Sequence, residues 1–240
     1  MSGRRAHEQP KPQLVAPPVQ RELYKYLIPP QSSKDHNKLV VVLDLDETLV
    51  YGREGPVRVR PGTAELLQCL KDRAEVIVWT AGSRDYALEV INIIDPFCAI
   101  QHCIYRHPMW WTGEIGCTKD LNQLGRPLEK TVLIDNTPDV FRANPTNGIL
   151  VSDFLGTVFK ADRVLFTLAD IFDFIFRRIS DPTVGSIFAS KRIMLRRVPL
   201  ESNRKIELYT LAADDVENHM YISPAQRSLL QYLQLKNKIK

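Results

Sequence analysis

The sequence predicts an α/β fold built on a mostly parallel sheet. Three observations carry this. Short apolar runs rich in Val and Ile recur at Leu39–Leu43, Glu75–Trp79, Thr131–Ile134 and Ile149–Val151. Stretches of helical periodicity separate them, after Pro61-Gly62-Thr63, over Ser83–Ile94 and from about Asp162 to Arg178. The runs are continuous rather than alternating, which is the pattern of strands buried on both faces.

The elements follow in order. Residues 1–36 read as a basic, proline-rich, disordered tail. Order begins near Arg21, where Leu23, Tyr24, Tyr26, Leu27 and Ile28 precede Pro29-Pro30. Gln31 to Asn37 is polar and reads as a linker or loop. Residues 37–178 form the core unit. Its first strand, Leu39–Leu43, runs directly into Asp44. Pro61-Gly62-Thr63 marks a turn, and AELLQCLKD after it a helix. Glu75–Trp79 is the second strand. Ser83–Ile94 is a helix that stops at Asp95-Pro96, because the residue before proline is driven from the helical region. Residues 97–118 read as short irregular pieces with two adjacent tryptophans and two glycines. Thr131–Ile134 and Ile149–Val151 are the third and fourth strands. The Phe-rich helix that ends at Arg178 reads as core. Residues 179–240 form a basic C-terminal extension, partly helical and packed on the core. Within it Ser223-Pro224 starts a terminal helix bearing Leu229, Leu230, Leu233 and Leu235.

Composition excludes several classes. Of 240 residues, 44% are hydrophobic and 25% charged, ordinary for a globular chain. No apolar run reaches the ~20 residues that cross a bilayer. The richest, Val164–Ile179, is broken by Asp170, Asp173, Arg177 and Arg178. Met1–Arg21 is polar and proline-rich, unlike a secretory signal, and Pro10, Pro12, Pro17 and Pro18 oppose the amphipathic helix of a mitochondrial presequence. Cys69, Cys98, Cys103 and Cys117, without a signal peptide, point to reduced thiols. The expected setting is intracellular, cytoplasmic or nuclear rather than mitochondrial. The net charge of +4 resolves into three parts. Residues 1–36 hold six Lys/Arg and three Asp/Glu (+3), residues 37–176 hold 14 and 19 (−5), and residues 177–240 hold 12 and 6 (+6). An acidic centre between basic flanks is no argument for direct nucleic-acid binding; the flanks read as solvated faces or as a dock for an acidic partner.

In parallel α/β sheets ligands bind beyond the carboxyl ends of the strands, so the residues after each run are the candidates. The first strand delivers Asp44-Leu45-Asp46-Glu47-Thr48, and alternation puts Asp44 and Asp46 on one side. Two carboxylates leaving a buried strand need a cation or hydrogen-bond partners, although solvated loop acids give the same pattern. The second strand ends in Trp79-Thr80-Ala81-Gly82-Ser83. There the Thr80 hydroxyl and backbone N–H groups can face a phosphate, or the segment can simply cap a helix through Ser83. The third strand ends in Asp135-Asn136-Thr137-Pro138, which supplies oxygen ligands for a hard cation such as Mg2+ or an Asx turn before proline. Thr118-Lys119-Asp120-Leu121 lies between them.

The ordered set Asp44/Asp46, Thr80, Lys119, Asp135/Asn136 resembles the haloacid dehalogenase superfamily of phosphotransferases. More narrowly, DLDETLV, WTAG, CTKDLNQLGR and LIDNTP are similar to the phosphatases of the RNA polymerase II carboxyl-terminal domain and their small relatives, over about Lys38–Phe176. The resemblance implies a three-layer haloacid-dehalogenase-like sandwich with a mostly parallel central sheet and only a small insertion in place of a large cap domain. It implies a Mg2+-dependent protein serine/threonine phosphatase that works through an aspartyl-phosphate. Asp44 would be the nucleophile, and Asp46 the general acid for the leaving alcohol and then the base for water. Thr80 would hold phosphoryl oxygens. Lys119 would neutralise phosphate charge and steady Asp44. Asn136 would ligate Mg2+ with Asp44 and the backbone carbonyl of Asp46, and Asp135 would orient Lys119 or stand in the metal's outer shell. Thr48 would close the loop and fix Asp44. Ala81, Tyr86 and Arg106 would contact substrate, with helix packing as the competing role for Tyr86. The family's RES pattern at that arginine is replaced here by Arg106-His107-Pro108-Met109-Trp110-Trp111. Trp110 and Trp111 would line the pocket entrance or cover the core.

Other readings stay open. Cys98, His102, Cys103, His107 and Cys117 are residue types that zinc accepts, but their spacing lacks paired CxxC motifs. A small-molecule phosphatase of the same superfamily is one functional alternative, and a non-catalytic interaction module, similar to the mitochondrial import receptor of this fold, is another. The short span from Thr80 to Lys119 leaves no room for a large cap domain, which favours an open site and a phosphorylated protein or peptide as partner.

Overall fold

The apolar runs become strands in which every residue is buried: Leu39–Leu43, Ala74–Trp79, Thr131–Asp135 and Gly148–Leu150. The computed structural model of the chain describes residues 13–14, 25–53, 55–111, 117–156, 162–202 and 204–214. Its strands and α-helices, in chain order, are β1 (Gln13–Leu14), β2 (Leu39–Leu43), β3 (Val50–Tyr51), β4 (Arg58–Val59), α1 (Thr63–Leu70), β5 (Ala74–Trp79), α2 (Arg84–Ile94), β6 (Ile100–Ile104), β7 (Thr131–Asp135), β8 (Gly148–Leu150), α3 (Val164–Arg178), α4 (Val184–Phe188), β9 (Ile193–Pro199) and β10 (Lys205–Leu211). The large sheet has the order β1-β6-β5-β2-β7-β8-β10-β9. Its neighbours are parallel except for β10 and β9. β3 and β4 pair separately as a short antiparallel insertion directly after the DLDET segment.

Alternation along the strands divides the core into two faces. Leu39, Val41 and Leu43 of β2 pack with Val76 and Val78 of β5 against the apolar faces of α1, α2, α3 and α4. On α3 that face is Val164, Leu165, Leu168, Ile171, Phe172 and Ile175, the three-and-four spacing of an amphipathic helix. Val40 and Val42 point the other way, into a cluster with Ile77, Trp79, Leu121, Leu124 and Phe141. This third layer is built from short 3-10 turns at Leu121–Leu124 and Pro138–Ala143 and from loop segments.

Three sequence expectations change. The boundary drawn at residue 36 falls inside folded chain, because Leu27 and Ile28 are buried in the second cluster and Leu27 N donates to Gln123 O. Residues 97–118, irregular by sequence pattern, contain β6, a full strand between β5 and β1. Its polar Gln101 and His102 hid the strand pattern. Gln101 Oε1 accepts from Val76 N at 2.5 Å, where the β5–β6 register shifts, and His102 faces Glu75. The basic extension contributes β9 and β10 to the sheet; β9 lies at its edge with only Ile193 and Val198 buried, so no continuous apolar run announced it. The terminal helix expected from Ser223 lies outside the described residues, as does most of the tail.

At the start of β5 a charge is buried. Arg126 Nε and Nη2 bind the two Glu75 carboxylate oxygens at 2.8 and 2.7 Å, His102 Nε2 lies 3.2 Å from Oε1, and Gln31 Nε2 donates at 2.8 Å. Arg126 also donates to Pro29 O, which ties the segment before β2 to the sheet. Burial pushes the Glu75 carboxyl up, but the hydrogen bonds and charges of Arg126 and His102 outweigh it and hold the group at about 2, below its ordinary 4.5. A carboxyl depressed on folding stabilises the native state above its unfolded pKa and loses that contribution as pH falls through the folded one. Denaturant unfolding between pH 5 and pH 2 should therefore show the wild type losing roughly 3 kcal/mol more than Glu75→Gln.

Candidate active site

The chain leaves β2 toward β5 and β6 on one side and returns to β7 and β8 on the other. Reversal of strand order at β2 opens a crevice beyond its carboxyl end, where α/β sheets place ligands. Asp44 follows β2, Thr80 follows β5, and Asp135 ends β7 with Asn136 next in sequence. Asp44 N donates to Ile134 O and Thr80 N to Ile104 O, so both side chains leave from backbone still held by the sheet.

Lys119 stands at the centre. Its Nζ donates to Asp44 Oδ1 at 2.7 Å, Asp135 Oδ2 at 2.7 Å and Trp79 O at 2.6 Å, which uses all three ammonium hydrogens. The second Asp135 oxygen accepts from Thr137 N at 2.8 Å. Both Asp135 oxygens are thus engaged, one by Lys119 and one by the backbone. One ammonium between two carboxylates leaves an excess negative charge, and both partners feel it. Burial lowers Lys119, but Asp135 and Asp44 outweigh it and hold the ammonium above its ordinary value. Burial and Asp44 push Asp135 up despite Lys119.

Asp46 is held from the opposite side. Tyr86 OH donates to Oδ1 at 2.5 Å and Thr80 Oγ1 to Oδ2 at 3.2 Å. Thr80 Oγ1 in turn accepts from Gly82 N at 2.9 Å. Burial raises the Asp46 carboxyl; the Tyr86 hydrogen bond opposes this and the nearby Asp44 adds to it, leaving the group above its ordinary value. Burial, then the bond to Asp46, raises the Tyr86 phenol. The ring reaches Asp46 because two neighbours lack side chains. A Cβ at Gly52 would overlap the Tyr86 hydroxyl, and one at Gly82 would lie 2.9 Å from its Cδ1. Tyr86 thus engages Asp46, a contact across 40 residues of sequence.

Thr48 Oγ1 lies 2.9 Å from Asp44 Oδ2 and 3.2 Å from Asn136 Oδ1. A single hydroxyl proton cannot satisfy both acceptors. Two oxygens thus converge beside an acidic cluster, an arrangement that suits a hard cation. The set implied for Mg2+ (a carboxylate of Asp44, the Asp46 carbonyl and Asn136 Oδ1) is consistent with that donor chemistry. Among the described residues no group of three or more His, Cys, Asp or Glu is placed to hold a metal; the Mg2+ set draws on only one carboxylate side chain.

The rim holds the softer candidates. Arg106 is exposed; its Nε donates to Ala81 O at 2.6 Å and its guanidinium lies 5.5 Å from the Trp111 ring. The two tryptophans divide their roles. Trp110 is buried, edge-on to Trp79 with centroids 5.5 Å apart, and donates to Tyr105 O, whereas the half-buried Trp111 stands beside Arg106. His102 is turned to Glu75, and His107 Nδ1 accepts from Met109 N. Sequence reasoning missed three residues around the loop after Asp46. Glu47 takes a left-handed φ of 64° and pairs with Arg53. Buried Arg60 donates to Thr48 O at 3.2 Å, Ser152 O at 2.9 Å and Asp162 at 2.8 Å. No local pattern signals such contacts; the one hint, a charged residue in the VRVRPG segment, is indistinguishable there from a surface arginine.

Comparison with known proteins bears on the assignment. The sequence model of the NLI interacting factor-like phosphatases matches residues 39–182, more than half of the chain. An uncharacterized protein of Schizosaccharomyces pombe is 31% identical over 182 residues, covering 68% of this chain and 54% of that protein. The human carboxy-terminal domain RNA polymerase II polypeptide A small phosphatase 1 is 28% identical over 170 residues, covering 62% and 64%. The chain spans about half the length of the curated relatives it matches. Among solved structures, that of Fcp1, an essential RNA polymerase II CTD phosphatase, aligns with a TM-score of 0.42 and 22% identity over 63% of this chain and 57% of that one. The chain belongs to the NLI interacting factor-like phosphatase family.

Proposed function

We propose that this chain is a Mg2+-dependent protein serine/threonine phosphatase that uses Asp44 as nucleophile. The observation that carries the reading is the pairing of two unlike carboxyl groups. Asp44 is held in place by Lys119 and Thr48, while Asp46, two residues on, is raised by burial and held by Tyr86 and Thr80. One suits attack and the other proton transfer.

In this mechanism an Asp44 oxygen attacks phosphorus as the ester P–O bond breaks. The electron pair goes to the leaving oxygen, and Asp46 supplies its proton. Asp46, now a carboxylate, takes a proton from water as that water attacks phosphorus. The Asp44–phosphorus bond breaks and inorganic phosphate leaves. Lys119 offsets phosphoryl charge near Asp44, and Thr80 and Ala81 border the phosphate while Arg106 faces the substrate side. Asp44, the Asp46 carbonyl and Asn136 would hold Mg2+, which when bound screens repulsion between carboxylate and phosphate. The small β3–β4 insertion supports an open site and hence a phosphorylated protein or peptide substrate, with intracellular phosphoproteins, nuclear or cytoplasmic, as the natural pool.

The test is hydrolysis of p-nitrophenyl phosphate and of phosphoserine and phosphothreonine peptides. Turnover should fall roughly 10²–10³-fold on chelation with EDTA and return with Mg2+. The peptides should show the higher kcat/KM. Preference for small phosphate esters would favour a small-molecule phosphatase. Absence of any turnover in folded protein would favour a non-catalytic interaction module.

A further inference from the structure

We propose that Asp153 is a positioning residue that fixes the amide of Asn136 so that its oxygen faces Asp44. The proposal rests on the Mg2+ reading above. Asn136 is buried, 2% exposed, at the end of β7. Its Nδ2 donates to Asp153 Oδ1 at 2.8 Å and lies 3.5 Å from Glu47 Oε2, while its Oδ1 lies 3.2 Å from Thr48 Oγ1. Ionised carboxylates only accept hydrogen bonds. An amide turned over by 180° would set its oxygen against the carboxylate oxygen of Asp153 and its NH2 toward the cation position. The two acids thus permit one orientation of Asn136, with its oxygen beside Asp44 Oδ2 across the Thr48 hydroxyl.

Asp153 is itself held firmly. It sits in the loop after β8, half-buried between two buried neighbours. Val151 N donates to Asp135 O at 3.0 Å, Ser152 N to Asp214 Oδ2 at 2.9 Å, and Phe154 N to Glu47 O at 2.7 Å. Arg60 grips Ser152 through O and Oγ and the same guanidinium reaches Thr48 O. The loop carrying Asp153 and the loop carrying Thr48 are therefore braced against each other, and both meet on Asn136. Groups that orient a metal ligand without touching the metal typically change affinity 10–100-fold when removed.

The experiment is calorimetric titration of the full chain with Mg2+ in the absence of substrate, alongside the Mg2+-induced shift in melting temperature. Asp153→Ala should weaken Mg2+ binding about 10–100-fold. Asp153→Asn, which keeps a carbonyl oxygen facing Asn136 Nδ2, should recover most of the affinity. If Asp153→Ala does not fold, Asp153→Ser serves the same comparison. Unchanged affinity in Asp153→Ala or Asp153→Ser, with the wild type binding Mg2+, overturns the proposal alone. Equal loss in Asp153→Asn and Asp153→Ala overturns it in favour of a requirement for charge. A wild type that binds no Mg2+ overturns the metal reading and the proposal with it.

Discussion

Asp44→Asn should lower turnover of p-nitrophenyl phosphate by about 10⁴-fold or more while leaving the protein at least as resistant to thermal unfolding as the wild type. The two halves of this expectation have separate causes. An amide cannot act as the proposed nucleophile, so the covalent route closes. The fold is spared because Asp44 is one of two carboxylates around a single ammonium. Removing it leaves Lys119 and Asp135 as a balanced buried pair. The hydrogen bonds can also be refilled: the new amide oxygen accepts from Lys119, and its NH2 donates to the Thr48 oxygen, whose proton turns to Asn136 Oδ1. Kinetics and a melting curve on the same sample check both. Turnover near the wild-type level would remove Asp44 from the nucleophile's role.

Lys119→Met should be the damaging counterpart, costing about 3–5 kcal/mol of stability and abolishing measurable turnover. Lys119 is 3% exposed, and its three donors satisfy two buried carboxylates and a buried carbonyl. Methionine matches its length but leaves Asp44 and Asp135 facing each other with no counter-charge and Trp79 O without its donor. Asp135, already raised by burial and by Asp44, bears most of this. Asp135→Asn in the Lys119→Met background should therefore recover part of the lost stability, a non-additivity expected of groups that share one contact. Urea unfolding of the two single variants and the double variant gives the coupling directly. Strict additivity would mean that Lys119, Asp44 and Asp135 do not act as a unit.

The contrast between these variants shows why the candidate site was partly legible. Asp44, Asp46, Thr80, Asp135 and Asn136 each follow or end a strand whose apolar run stands out locally. Lys119 has no such marker; only its place in the ordered motif singled it out. Asp153 carried no signal and Arg60 none that set it apart from a surface arginine, although Asp153 is hydrogen-bonded to Asn136 and Arg60 braces its loop. Arg126 lay within a motif, yet its role is to bury Glu75 across 51 residues of sequence rather than to reach the crevice.

The sequence by itself determined the four central strands, the main helices, the family and the residues that end the strands. Those features follow from local rules: a strand buried on both faces must be apolar throughout, and the chemistry must begin where that run stops. Tertiary structure alone decided the rest. It turned a polar segment into β6, because Gln101 and His102 find partners on β5. It carried the basic extension into the sheet as β10 and β9, brought Tyr86 to Asp46 through the space left by Gly52 and Gly82, and set Trp110 edge-on to Trp79. Each of these depends on a partner distant in sequence, and a buried polar group is tolerated only when that partner arrives.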